Sequence, residues 1–175
     1  MKHKKRKAFV SVLLILAVAA IVGMYLYCCF FVFYAQDDVC FFLELKQSMD
    51  KFPSFNYLRN VAMKAFDYYF TWQGNYLENF VVFSLTGFYR MGIRSFQLVL
   101  AAIVCAFFMG LTFLQYEIAH SLNVKHTTCV TLLLVLLVML TGMNNISPAD
   151  FFFWISGAVA YALPVSLAFF GGGTM

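Results

Sequence analysis

The stretch AFVSVLLILAVAAIVGMYLYCCFFVFY, residues 8–34, decides the fold: it runs for 27 residues without a charge, directly after the basic segment Lys2-His3-Lys4-Lys5-Arg6-Lys7. About 20 apolar residues are enough to cross the hydrocarbon core of a bilayer, so this stretch predicts a transmembrane helix with length to spare. Ala17-Val18-Ala19 after a basic start resembles a signal-peptide cleavage site. Apolar sequence nevertheless continues for fifteen residues past Ala19, and Tyr27 before Cys28 is too large for a lipoprotein site, so an uncleaved anchor is expected. Residues 1–7 then form a basic cytoplasmic tail. It holds five of the chain's twelve Lys and Arg residues, and the positive-inside tendency keeps it in the cytoplasm.

The rest of the composition agrees with a bilayer as solvent. Apolar residues make up 63% of the chain, aromatics 19% and charged residues only 11%, with a mean hydropathy of +0.81, well outside the soluble norm. The formal charge of +4 is concentrated before the first span, which marks topology and gives no support for nucleic-acid binding. The fold class predicted is an all-α membrane protein with about four transmembrane helices and interfacial amphipathic helices in the first external loop.

Residues 35–94 form that loop, too long and too charged to be a simple connector. Phe41, Phe42 and Leu45, within a helix expected over Asp38–Met49, are placed to dip into the headgroup boundary. Val61, Ala65, Tyr68 or Tyr69, and Trp72 recur at helical spacing, with Asn60, Lys64, Asp67 and Thr71 on another face. Pro53 separates the two helices. A second span is predicted over 95–117, a cytoplasmic turn at His120, Lys125 and His126, a third span over 127–143, and a fourth over 150–170. Between the last two, Ser147-Pro148-Ala149-Asp150 reads as a capped helix start, and Pro164 predicts a kink. The fourth span runs into Gly171-Gly172-Gly173-Thr174-Met175 with no Lys or Arg, so a chain truncated at 175 is expected.

Several chemistries find no support. Cys28, Cys29, Cys40, Cys105 and Cys129 form no CxxC pair and no Cys/His cluster with metal-ligand spacing; only Cys40 is placed to face water. The glycines near the end lack the Lys and Ser/Thr of a phosphate loop. The histidines lie on the side of the membrane opposite the one acidic pair that invites attention. That pair is Asp37-Asp38, where the chain leaves the first span. Carboxylates at a membrane edge are costly, and neighbours in sequence do not share a helix face, so one would act and the other support it. The plainer alternative is that Asp37 caps the helix that follows. Arg90 and Arg94, four residues apart, would share a helical face at the outer mouth of the second span and suit a phosphate, or simply snorkel to headgroups. Trp72, Trp154 and Tyr161 could stack on sugar rings or belong to an interfacial belt.

Tyr34-Ala35-Gln36-Asp37-Asp38, then Tyr69-Phe70-Thr71-Trp72-Gln73-Gly74-Asn75-Tyr76, then Trp154-Ile155-Ser156-Gly157 with Tyr161 and Pro164, resemble a bacterial family of multi-span membrane proteins of the GT-C glycosyltransferase type. The resemblance spans about residues 8–166. It implies an external loop whose Asp37 or Asp38 is the general base on an acceptor hydroxyl, and a sugar on a polyprenyl phosphate as donor. It also implies substrate contacts from Arg90, Arg94, Trp72, Trp154 and Tyr161. The family's Trp-x-Gly-Arg pattern reads Trp72-Gln73-Gly74-Asn75 here, leaving Arg90 and Arg94 as the cations available. The expectation is therefore the N-terminal portion of such an enzyme, multi-pass in a bacterial cytoplasmic (inner) membrane, inactive as an isolated chain. Its partners would be the lipid bilayer and either the remaining transmembrane part or a partner subunit. No cofactor is implied, and a divalent metal is left open. The alternative, from another class, is a non-enzymatic small multi-span subunit or transporter fragment.

Overall fold

The structure, a computed structural model, describes the backbone of residues 2–33, 36–71, 75–145, 151–153 and 155–173, and the side chains of these except 2–7, 36, 37, 89, 90, 142–145 and 155. The described residues are all-helical. In chain order the elements are α1 Lys2–Cys29, α2 Gln36–Lys51, α3 Tyr57–Thr71, α4 Tyr76–Thr86, a 3₁₀ turn Gly87–Met91, α5 Ile93–Ser121 and α6 Thr127–Asn145. A single turn Ile155–Gly157, a π-helical stretch Ala158–Ala162 and α7 Leu163–Gly172 follow.

Among the described residues two helices are long and apolar enough to cross a membrane, Ala8–Cys29 within α1 and Ile93–Ser121. The apolar parts of the expected third and fourth spans, Thr127–Thr141 and Ala158–Gly172, are shorter. At about 1.5 Å per residue each covers roughly 22 Å of a core about 30 Å thick. The first helix also departs from the expected boundaries. It begins at Lys2, so the basic tail is helical, and it stops at Cys29 rather than Tyr34. There the amides of Phe30 and Phe31 turn back to the carbonyls of Tyr27 and Cys28. These are the tight three-residue bonds with which helices end.

α5 and α7 pack closely at Gly110, where a Cβ would lie 3.0 Å from the Ser166 carbonyl oxygen. Pro164 cannot donate to the carbonyl four residues back, and the chain answers with the π-helical stretch directly before it. Ser166 Oγ donates to the Ala162 oxygen at 2.6 Å. α1 joins the bundle through Tyr25, whose ring packs against Phe108 at 5.5 Å and Phe152 at 5.3 Å. It also meets α6 where Ser11 Oγ lies 2.9 Å from Cys129 Sγ. The α5–α6 turn uses left-handed backbone at Asn123 and His126.

The loop predicted to hold two amphipathic helices holds a third, α4. Its sequence YLENFVVFSLT is apolar over more than one face, so periodicity did not announce it. α2 presents Asp38, Phe41, Leu45 and Ser48 inward, and α3 presents Asn60, Val61 and Ala65. Phe41 and Leu45 are thus core residues rather than headgroup contacts, with Phe42 half-buried against the core. Asn60, expected on the polar face, is buried because Ser48 Oγ donates to its Oδ1 at 3.0 Å. Its own amide reaches the carbonyls of Phe55 and Asn56 at 3.4 and 3.3 Å. The break at Pro53 falls between α2 and α3 as expected. Asn56 caps α3 by accepting from the Arg59 amide at 2.9 Å. Tyr57 then ties α3 to α4, its hydroxyl donating to the carbonyls of Phe83 at 3.0 Å and Ser84 at 2.7 Å. Gly87 is required beneath it, since a Cβ there would overlap the Tyr57 hydroxyl.

Candidate functional site at the α1–α2 elbow

Helical geometry separates the two acidic residues. Positions 38, 41, 45 and 48 fall on one stripe of α2, and all four are buried, with Asp38 at 0% exposure. Asp37 belongs to the adjoining face, and its side chain lies outside the described residues. Asp38 is thus enclosed at the head of the core stripe of α2.

Across from the elbow, Gln97 in α5 is 3% exposed. Its Nε2 donates to the carbonyls of Phe30 at 3.0 Å and Val32 at 3.1 Å, just past the end of α1. Its Oε1 accepts from Arg94 Nη1 at 3.3 Å. Arg94 is exposed, in the first turn of α5. Arg90 and Arg94 do not share a helical face, as their spacing suggested. Arg90 belongs to the 3₁₀ turn, and Gly92, with φ +96°, breaks the backbone before α5 begins. The side chain of Arg90 lies outside the described residues, as do Trp72, Trp154 and the Ser147–Asp150 cap. Tyr161 is 59% exposed on the π-helical stretch. Gln97 and Arg94 of α5 thus meet the backbone just past the end of α1, while Asp38 is enclosed on α2; the sequence reading named Asp38 and Arg94 and missed Gln97. Its one signal was a glutamine near the mouth of an otherwise apolar helix.

A second polar cluster joins α2 to α3. The Tyr68 hydroxyl donates to Glu44 Oε1 at 2.6 Å, and Lys64 Nζ meets Glu44 Oε2 at 3.2 Å and Asp67 Oδ2 at 3.4 Å. Burial, and then the hydrogen bond to Glu44, push the Tyr68 hydroxyl well above its ordinary pKa of 10.0. Lys64, placed by the sequence on the same face as Asp67, thus reaches across to α2, where Glu44 lies twenty residues earlier in the chain.

Two cavities lie apart from the elbow. One, of about 660 Å³, is an apolar groove among α1, α5 and α6, lined in part by Val18, Cys105, Met109 and Thr131. The other, about 530 Å³, is lined by residues of α2 and the end of α4, including Lys46, Asp50 and Thr86. Asp38, Arg94 and Tyr161 line neither. Among the described residues no group of three or more His, Cys, Asp or Glu side chains could hold a metal ion. All five cysteines are free, with Cys40 exposed as expected.

No family model, no curated protein and no solved structure matches the chain.

Proposed function

We propose that the chain is a multi-pass membrane protein with a cytoplasmic N-terminus, and that it forms the N-terminal portion of a GT-C-like glycosyltransferase. In this reading the enzyme moves a sugar from a polyprenyl-phosphate donor to an extracytoplasmic acceptor in a bacterial inner membrane. The observation that carries the proposal is the burial of Asp38 in α2, nine residues after the end of a helix long enough to span. An enclosed carboxylate costs several kcal/mol unless its surroundings compensate, and it sits next to a second carboxylate at a membrane edge. Forming a glycosidic bond releases the acceptor hydroxyl proton, which a carboxylate within hydrogen-bond reach can take. Asp38 faces the core, so the division of labour assigns the base to Asp37 and support to Asp38. Arg94 supplies positive charge at the same mouth, suited to a phosphate, with Arg90, Trp72, Trp154 and Tyr161 as the further substrate contacts.

The test is sugar transfer from a polyprenyl-phosphate sugar in membrane vesicles, with Asp37→Asn and Asp38→Asn made separately in the full-length protein. Asp37→Asn is expected to lower kcat by about 10²–10⁴, and Asp38→Asn to lower it together with thermal stability. If both variants transfer sugar at the wild-type rate, the general base fails and the non-enzymatic subunit becomes the reading to pursue.

A further inference from the structure

We infer that the apolar groove among α1, α5 and α6 seats one acyl chain of an anionic phospholipid, drawn from the leaflet that adjoins the N-terminus of α1. The inference rests on the membrane reading proposed above and not on glycosyl transfer. Two of the groove's walls belong to the helices long and apolar enough to span, so in a bilayer it faces hydrocarbon. A gap between helices forfeits dispersion contacts on both sides, and a lipid chain is the apolar filler that a bilayer supplies. The dimensions suit one chain. The groove has a volume of about 660 Å³, and its lining on α5 runs from Cys105 to Tyr116. At 1.5 Å per residue that is about 16 Å, half of a hydrocarbon core of about 30 Å. It is the half nearer the start of α1. Thr128 lines the groove in the first turn of α6, and the neighbouring Cys129 meets Ser11. Val18 and Val22 line it two to three turns further into the span.

The chemistry along the groove is graded in the same direction. Beyond the Thr128 end stand Lys125 in the α5–α6 turn and the basic stretch Lys2–Lys7 that begins α1, against Glu117 as the one acid in residues 1–11 and 115–129. Lysines and arginines at that level attract anionic headgroups. One turn inward from Thr128, Thr131 is 3% exposed, and its Oγ1 has no hydrogen-bond partner among the described residues. Thr112, on the α5 wall of the same groove, returns its hydroxyl to the Phe108 carbonyl at 2.7 Å, as helical threonines can. Thr131 does not, so a buried donor is left to be satisfied. Rotation between the two χ1 wells that a helical threonine adopts offers this hydroxyl to an ester carbonyl. Cations, then a hydroxyl, then an apolar lining follow the order of headgroup, ester and chain in a phospholipid.

Native mass spectrometry tests this on the full chain released from nanodiscs of equal parts palmitoyl-oleoyl phosphatidylglycerol and palmitoyl-oleoyl phosphatidylcholine. Wild type is expected to retain one phosphatidylglycerol per chain. Met109→Trp sets a larger ring into the groove from an exposed position on α5, and should lower retention about tenfold because the chain loses its contacts along that wall. Thr131→Val keeps the shape and removes the hydroxyl, and should lower retention about fivefold, one hydrogen bond's net contribution. Lys125→Glu should cut the preference for phosphatidylglycerol over phosphatidylcholine about fivefold, the effect of one lysine near an anionic surface. If Met109→Trp fails to fold, Thr131→Val decides the matter on its own. No lipid retained by wild type, or retention unchanged in the groove variants, overturns the inference. Displacement of the phosphatidylglycerol by an equal amount of undecaprenyl phosphate also overturns it, assigning the groove to an isoprenoid chain. A chain that stays monodisperse with neither lipid nor detergent overturns the membrane reading and the groove together. Retained lipid in a full-length protein that transfers no sugar upholds the groove and sinks the glycosyltransferase reading alone.

Discussion

The outer layer of α2, α3 and α4 and the bundle of α1, α5, α6 and α7 are both packed helices, yet they are held by different forces. The outer helices are stitched by side-chain hydrogen bonds that cross from one helix to another: Ser48 to Asn60, Tyr57 to the end of α4, Tyr68 and Lys64 to Glu44. The bundle has polar contacts too, Gln97 to the end of α1 and Ser11 with Cys129, but it is packed chiefly through aromatic contacts around Tyr25, Phe107, Phe108 and Phe152 and the close approach at Gly110. That division is what two solvents would select. Against water, burying Val61 and Phe83 is itself a driving force. Against lipid tails, which are as apolar as the side chains, helices gain by fit and small residues instead.

The sharpest way to break the comparison is to make the same truncation in each region. Phe83 is fully buried in α4, beneath Phe41 at 5.3 Å and Tyr68 at 5.1 Å. Phe83→Ala should cost about 3–5 kcal/mol, the sum of lost transfer energy and a cavity. Phe108→Ala in the bundle should cost clearly less, because lipid rather than water is the reference and mainly the lost packing remains. Thermal unfolding of both variants in the same nanodiscs measures the difference. Equal losses would mean that α5 is solvated like the outer layer, and the membrane reading would have to be abandoned.

The next effect belongs to the outer layer alone. Tyr57→Phe keeps the ring but removes the hydroxyl shared by the carbonyls of Phe83 and Ser84. It should lower stability by about 1–3 kcal/mol, the cost of taking a donor from partly buried acceptors, although the Phe83 oxygen still accepts from Thr86 Oγ1 at 2.8 Å. Proteolysis within residues 57–86 should accelerate while the α5 region stays protected. A smaller change is expected from Asn56→Ala, about 1 kcal/mol for a lost N-cap, seen as faster amide exchange confined to the first turn of α3.

How far this arrangement could be read beforehand follows from the same contrast. α1 and α5 were legible from uninterrupted apolar length, and the break at Pro53 from the chemistry of proline. The inward stripe of α3, Val61 and Ala65, was legible from helical spacing. Spacing could not say what the stripe meets, and it meets α4 rather than a headgroup layer. α4 itself escaped notice because a short helix that is apolar on several sides carries no clear period. Asn60, Glu44 and Gln97 were missed for a common reason: each acquires its role from a partner distant in sequence, and a single chain read along its length shows no such pairs. At the elbow, periodicity does contain the answer for Asp38, since 38, 41, 45 and 48 make one stripe. Reading Asp37-Asp38 as a unit hid it.

The smallest effect at neutral pH is also the most specific to the outer layer. Tyr68 has its pKa raised in the folded protein, first by burial and then by its hydrogen bond to the Glu44 carboxylate. The folded state therefore holds the phenolic proton more tightly than the unfolded state does. Below the unfolded value of 10.0 both states are protonated and the contribution is constant. As pH rises past it, the unfolded state ionises first, so stability must fall with pH. Tyr68→Phe should abolish that alkaline slope while leaving the neutral-pH stability changed only by the loss of one hydrogen bond. Comparing the two proteins from pH 8 upward isolates it, because the two differ only in the Tyr68 hydroxyl. An identical alkaline slope in wild type and Tyr68→Phe would show that the hydroxyl is in contact with water and that α2 and α3 are not closed around Glu44. The outer layer would then be looser than its hydrogen bonds imply, and its contrast with the bundle correspondingly weaker.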